Sequence, residues 1–309
     1  MTTMTTVMHF LCILSIAIAV AVEIPQIDDH TENRFARVAY GEDYDHEKYE
    51  YVVMLLGEDE NSSEIASLCS GSLLSPIAVL TAAHCTYGMT ASKLTVVVPK
   101  TASDDVRLSE VQKIYQHPAY KKLKTFADLS LLKIKRPFIS IKRFASIAGL
   151  PSDFVGNTGR KCVAIGFGDK APGDMSENGQ IINITIQYGS DKCKSMLEDD
   201  GFSNELGKAV HEEFLCSTND NHTVCHGDSG GPLICGEHQF GVSSNVIVGE
   251  QDDNHCGRYE DMSRFVFLYH YRDWISSSMD SINDGKSDLL HHRLFVNILA
   301  TLIVLCVQN

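Results

Sequence analysis

The stretch Cys225-His226-Gly227-Asp228-Ser229-Gly230-Gly231-Pro232 sets a serine hydroxyl in a glycine-rich turn directly after an aspartate. Glycine permits a sharp turn that projects the hydroxyl outward. It also lets the amides of Gly227 and Ser229 converge on one developing oxyanion, each such donor being worth roughly 3 to 4 kcal/mol of barrier. The same composition makes an ordinary structural turn, and a second motif upstream separates the two readings. Thr81-Ala82-Ala83-His84-Cys85 supplies a histidine, and serine is a weak nucleophile unless an imidazole takes its proton and a third group holds that imidazole in the right tautomer. The run Phe126-Ala127-Asp128-Leu129-Ser130-Leu131-Leu132-Lys133-Ile134 offers the third group, with Asp128 at the head of a leucine-rich strand. An ionised acid there is costly unless paired. The order His84, Asp128, Ser229 along the chain favours the catalytic reading over a strand-edge aspartate.

With these motifs the sequence resembles the chymotrypsin-like (trypsin-fold) serine endopeptidases, from about Val38 to about Met279. The resemblance implies an all-β fold of two six-stranded antiparallel barrels with a C-terminal helix and the active site between the barrels. It implies His84 as general base and then general acid, Asp128 as its orienter and Ser229 as the acylated nucleophile. It also places Ser244, in Gly241-Val242-Ser243-Ser244, against the buried aspartate and the substrate backbone. Short strands read at Tyr51–Leu55, Leu94–Val98 and Ile181–Ile186, where apolar or alternating residues are punctuated by turns. A late helix reads from Tyr269 to about Met279 and holds the single tryptophan, Trp274.

Of the ten cysteines, Cys12 and Cys306 lie in apolar terminal runs and eight remain. Sequence alone leaves their connectivity open. The resemblance implies Cys69 with Cys85, Cys162 with Cys235, Cys193 with Cys216 and Cys225 with Cys256. Zinc is the competing use of clustered cysteines, but no Cys-x-x-Cys spacing occurs. Neither a metal nor another cofactor is expected, and an oxidising compartment follows.

The ends organise the rest. Residues 1–21 read as a signal peptide, with an apolar run from Val7 and the small-residue site Ala19-Val20-Ala21. Residues 22–37 read as an activation propeptide. In the resembled family a zymogen is cut between a basic and a branched aliphatic residue, here Arg37 and Val38, by an activating protease. The new Val38 ammonium then inserts beside Asp228 and orders the oxyanion hole. This chain carries Ala39-Tyr40 where the family usually has Val-Gly. Residues 38–279 form the expected protease domain, and 280–309 a linker with a hydrophobic tail. The apolar run 294–307 is short for a bilayer span, which needs about 17 to 25 residues. It suits a glycosylphosphatidylinositol signal with Asn283 as attachment site. Asn61, Asn183 and Asn221 stand in glycosylation sequons.

The formal charge of −14 offers no basic footprint for nucleic acid. The expected partners are polypeptide substrates, the activating protease and macromolecular inhibitors. In the family the residue six before the nucleophile floors the primary specificity pocket, and here it is Thr223, which gives a basic side chain no counter-charge. Val246, where a glycine usually stands, narrows the pocket mouth, and His226 lines its rim. The resulting expectation is a preference for small or medium apolar side chains. Asp252, Asp253, Glu260 and Asp261 read as a solvated loop, although any one of them buried in the pocket would restore basic specificity. The alternative to an enzyme is a noncatalytic protease homologue acting as a scaffold.

Overall fold

In the computed structural model, the described residues are 41–59, 64–99, 107–121, 126–155, 159–171, 174–175, 178–189, 193, 212–218, 222–247 and 261–284. Arg37, Val38, Asn61, Asn221, Cys256, the expected signal peptide and the apolar tail lie outside them.

Six strands make the first barrel: β1 (Val52–Glu58), β2 (Ile65–Ser75), β3 (Ala78–Thr81), β4 (Leu94–Val98), β5 (Arg107–Gln116) and β6 (Ser130–Ile134). They close in the order β1-β2-β3-β6-β5-β4, every pairing antiparallel. Closure leaves no edge strand unpaired, and the side chains that point inward fill the interior. Thus Val53, Leu55, Leu73, Leu80, Leu94, Val96, Leu131 and Leu132 are all buried. β4 is Leu-Thr-Val-Val-Val, and β-branched residues suit a pleated, half-buried surface.

The second barrel follows with β7 (Arg160–Gly166), the small hairpin β8 (Asp169–Ala171) and β9 (Asp174–Met175), β10 (Gln180–Tyr188), β11 (Phe214–Ser217), β12 (Pro232–Cys235), β13 (His238–Ile247) and β14 (Met262–Phe267). Its closed order is β10-β11-β14-β13-β12-β7, with β8 and β9 forming a separate two-stranded sheet. Ile184, Ile186, Leu215, Leu233, Phe265 and Phe267 form its core. β14 is buried along its whole length although it contains Ser263 and Arg264. These polar groups are satisfied locally: Ser263 Oγ accepts from Val224 N at 3.0 Å, and Arg264 Nε donates to Asn245 Oδ1 at 2.9 Å. Such pairing is what makes a buried polar residue tolerable.

A 3-10 turn, Leu268–Tyr271, leads into the terminal helix. That helix spans 272–284, five residues beyond the sequence expectation. The extension is held by packing, since Ile282 is fully buried and its carbonyl accepts from Lys133 Nζ of β6 at 2.9 Å. Asn283 is exposed on the last described turn.

Among the described residues three disulfides join pairs of cysteines: Cys69–Cys85, Cys162–Cys235 and Cys193–Cys216. Cys225 is also disulfide-bonded.

Candidate active site

His84 follows the end of β3, and Asp128 precedes β6, the strand hydrogen-bonded to β3. That pairing brings the two residues together. Asp128 is 2 % exposed, and its carboxylate is fully engaged. Oδ1 accepts from the His84 backbone amide at 2.8 Å, while Oδ2 lies 2.7 Å from His84 Nδ1 and accepts from Ser244 Oγ at 2.7 Å. A carboxylate at Nδ1 places the ring proton there and leaves Nε2 as the basic nitrogen. The hydrogen bond from Ser244, on β13, carries the second barrel into contact with this pair.

The backbone before Asp128 is unusual. Ala127 has φ +54°, the one non-glycine left-handed residue among the described residues, and Leu129 N donates to the Ala127 carbonyl at 2.7 Å. A left-handed alanine is strained and persists only where its surroundings hold it.

The turn of residues 225–231 forms the other side of the site. Gly227 has φ +97°, and a Cβ there would press against the backbone of Gly168, so both the dihedral and the close approach require glycine. Gly230 has φ +83° and would meet Thr81 and the Ser70 carbonyl. The His226 carbonyl accepts from Asp169 N at 2.9 Å. Because a peptide group is planar, that bond also fixes the direction of the Gly227 N–H, which lies on the far side of the same peptide.

Asp228 is buried beneath this turn. Its Oδ1 accepts from Gly168 N and its Oδ2 from Cys225 N, both at 2.8 Å. Burial pushes its carboxyl up to about 6 despite these donors. Two backbone amides do not fully replace water around a buried charge.

Ser70, in the middle of β2, belongs to none of the sequence motifs, yet it ties this turn to the first barrel. Its amide donates to the Ser229 carbonyl at 2.7 Å, its hydroxyl donates to the Gly227 carbonyl at 2.8 Å, and the hydroxyl accepts from Phe167 N at 3.0 Å. Its signal in the sequence is the small polar run Cys69-Ser70-Gly71-Ser72 within an otherwise apolar strand.

His84, Gly227, Ser229 and His226 line one cleft of about 450 Å³ with Leu68, Tyr87, Met89 and Asp169, and the Cys69–Cys85 disulfide forms part of its wall. Sγ of Cys69 and Cys85 lies close to the His84 ring. Joined as a disulfide, the two sulfurs cannot act as thiolate ligands for a metal.

The family model for trypsin matches residues 39–275. Rat (Rattus norvegicus) chymase is 30% identical over 221 residues, covering 70% of this chain and 80% of the chymase. Mast cell protease 2 of Meriones unguiculatus is 30% identical over 226 residues, covering 71% and 82%. Trypsin eta of Drosophila erecta is 26% identical over 255 residues, covering 78% and 89%. The chain belongs to the trypsin family.

This trypsin-family serine protease has the family's two-barrel architecture, with His84, Asp128, Ser229 and Ser244 at the junction. Thr223 is 1 % exposed, and its hydroxyl has no hydrogen-bond partner among the described residues. Val246 is half-buried opposite Ser263. Asp261 corrects the solvated-loop expectation, because it is 2 % exposed immediately before β14. Asp252, Asp253 and Glu260 lie outside the described residues.

Proposed function

We propose that the protein is a serine endopeptidase made as a zymogen and activated by cleavage after Arg37. Ser229 Oγ attacks the substrate carbonyl carbon as His84 Nε2 takes its proton, and the carbonyl oxygen becomes an oxyanion facing the amides of Gly227 and Ser229. Collapse of the tetrahedral species breaks the C–N bond, and the imidazolium returns the proton to the leaving amine. Water then hydrolyses the acyl-enzyme by the same steps in reverse roles. Asp128 stays ionised throughout and stabilises the imidazolium.

The observation that carries this reading is the hydrogen-bonded chain Ser244–Asp128–His84, ending in a cleft that Ser229 also lines. A scaffold protein has no need of a buried carboxylate aimed at a histidine. Cleaving the purified protein after Arg37 and treating it with a fluorophosphonate is expected to label Ser229, with no label on S229A. An unlabelled, correctly cleaved protein would favour the scaffold role.

For specificity, the neutral Thr223 floor and the Val246 wall support small or medium apolar side chains before the scissile bond. Buried Asp261, directly before the β14 residues that pair with Val246 and Ile247 of β13, supports a second reading in which this acid reaches the pocket and accepts a basic side chain. A peptide library decides between them, since a strong preference for Arg or Lys would sink the apolar assignment. Secretion is supported by the disulfides together with the apolar leader. Asn183 is exposed on β10 and accessible to glycosylation. Release of the protein from cells by a phospholipase would support a lipid anchor at Asn283, and retention would refute it.

A further inference from the structure

Glu213 immediately precedes β11 and is 7 % exposed, a buried acid that the proposed reaction does not use. Its backbone is locked by the bond from Phe267 N to its carbonyl at 2.8 Å. Its side chain crosses to the first barrel, where Oε1 accepts from the amide of Ala127. The Tyr271 hydroxyl donates to the same carboxylate and accepts in turn from the Ala127 amide. Three groups from separate parts of the chain therefore meet at the strained residue just before Asp128.

We propose that Glu213 is a positioning residue for the catalytic aspartate. By accepting the Ala127 amide it holds the left-handed backbone that presents Asp128 to His84. A residue at φ +54° needs external restraint, and Glu213 with Tyr271 is the restraint that faces its amide. An alanine supplies no side chain with which to hold itself.

The same arrangement makes the restraint sensitive to protons. Burial pushes Glu213 up to about 7, with the Asp128 charge adding to the rise, while Tyr271, the Ala127 amide and Arg264 oppose it. These are the charged and titratable groups facing it from β14, the terminal turn and the loop before β6; His117 packs edge-on against the far side of Tyr271 at 5.1 Å. The ionised carboxylate accepts from both Ala127 and Tyr271. Protonation removes one acceptor site, and it removes a negative charge that acts with Asp128 on the imidazolium of His84. Activity should therefore fall with protonation of two coupled groups rather than one.

The inference rests on the protease reading, and the test keeps the two apart. In the full-length protein cleaved after Arg37, fluorophosphonate labelling of the wild type at Ser229 establishes the protease reading without reference to Glu213. Then kcat and KM are measured between about pH 5 and 9, where such profiles report essential groups, for wild type, Glu213→Gln, Glu213→Leu and Tyr271→Phe. Wild type should show a two-proton acid limb, a partial fall of kcat as Glu213 is protonated and complete loss once the general base is. Glu213→Gln, which keeps a carbonyl acceptor but no charge, should show the second fall alone, with plateau kcat about threefold below wild type, at the level wild type reaches after its first fall. Tyr271→Phe should move the second titration upward, since a donor to the carboxylate is gone. Glu213→Leu should lower kcat about tenfold to a hundredfold with KM little changed, the scale of a small misplacement of a reacting group. A two-proton limb that persists unchanged in Glu213→Gln would overturn the proposal, as would wild-type kcat in Glu213→Leu. Should the leucine variant fail to fold, the opposite pH responses of the glutamine and phenylalanine variants still decide the matter. Absence of labelling in the wild type would instead sink the protease reading, and this inference with it.

Discussion

The histidine side and the serine side of the site are built differently. On the first-barrel side, every acceptor of Asp128 already has a partner: the His84 amide, His84 Nδ1 and Ser244 Oγ, all within 2.8 Å. On the second-barrel side, Asp228 is also buried but is met by two neutral amides and, among the described residues, by no cation, and burial pushes its carboxyl up to about 6. Among the described residues one half is electrostatically complete, and the other holds a buried acid with no counter-charge. The difference supports the proposed cleavage after Arg37, whose part would be to supply an ammonium to Asp228 while leaving the His84–Asp128 pair as it was.

The sharpest way to break this comparison is Asp128→Asn. It preserves shape but reverses the tautomer of His84, and kcat in the cleaved protein should fall about 10⁴-fold. A loss of tenfold or less would mean that the first half is not the pre-assembled base.

Asp228→Asn attacks the other half. After cleavage after Arg37 it should lower kcat by about 10² to 10³, the value of one oxyanion donor, as the Gly227 amide loses its fixed direction. It should also cost the cut form more thermal stability than the uncut form, because in both forms the Gly168 or the Cys225 amide loses its acceptor while the cut form loses an ion pair as well. An equal loss in the two forms would contradict that asymmetry.

The pH dependence of stability sharpens the same point. Asp228 and Glu213 both have folded values above their ordinary ones, about 6 and about 7. The folded uncut chain therefore holds these protons more tightly than the unfolded chain. The stability they contribute is full below the ordinary carboxylate range and is lost as pH rises through about 6 and about 7. A tenfold difference in proton affinity between the folded and unfolded chains is worth about 1.4 kcal/mol. Melting curves of Ser229→Ala, used to prevent self-digestion, should show the uncut form weakening across this window. The form cut after Arg37 should weaken less, because Asp228 would then be paired. Parallel curves for the two forms would exclude an ammonium at Asp228.

The smallest expected effect belongs to Ser70→Ala. Its hydroxyl bridges the Gly227 carbonyl and the Phe167 amide, and its loss should cost about 1 to 3 kcal/mol of stability by leaving buried groups unsatisfied. A melting temperature equal to wild type would mean that the turn is held from its own barrel alone.

Much of this was legible in the sequence. The strands at Leu94–Val98 and Ile181–Ile186 announce themselves because β-branched and alternating residues leave few other conformations, and the Gly-Asp-Ser-Gly-Gly turn is readable because only glycine suits its dihedrals. Ser70, Glu213 and Asp261 were not legible in the same way. Each is a polar residue within or beside an apolar strand, and the partners of Ser70 and Glu213 come from distant parts of the chain. Ser70 meets Gly227 from 157 positions away, and Glu213 meets Ala127 from 86. Local pattern shows that such residues are anomalous; only the barrel closure shows what they face. The terminal helix outran its expected end for the same reason, since Lys133 and the buried Ile282 reward its last turns from outside the helical pattern.

The placement of the disulfides has a mechanical consequence. Cys69–Cys85 lies within the first barrel, and Cys162–Cys235 and Cys193–Cys216 lie within the second. Among the described residues no covalent crosslink joins the barrels except the peptide chain itself. Adhesion between the halves rests on contacts such as Ser72 Oγ to Gln239 Oε1 at 2.8 Å, the Ser70 bonds and Lys133 to Ile282. A nick in the connector 135–159 would therefore leave two pieces joined, among the described residues, by noncovalent contacts alone, including the apolar cluster that runs from Leu73 and Leu80 to Phe214 and Val266. Once unfolded, the nicked protein would refold by a bimolecular, concentration-dependent step that the intact chain does not need.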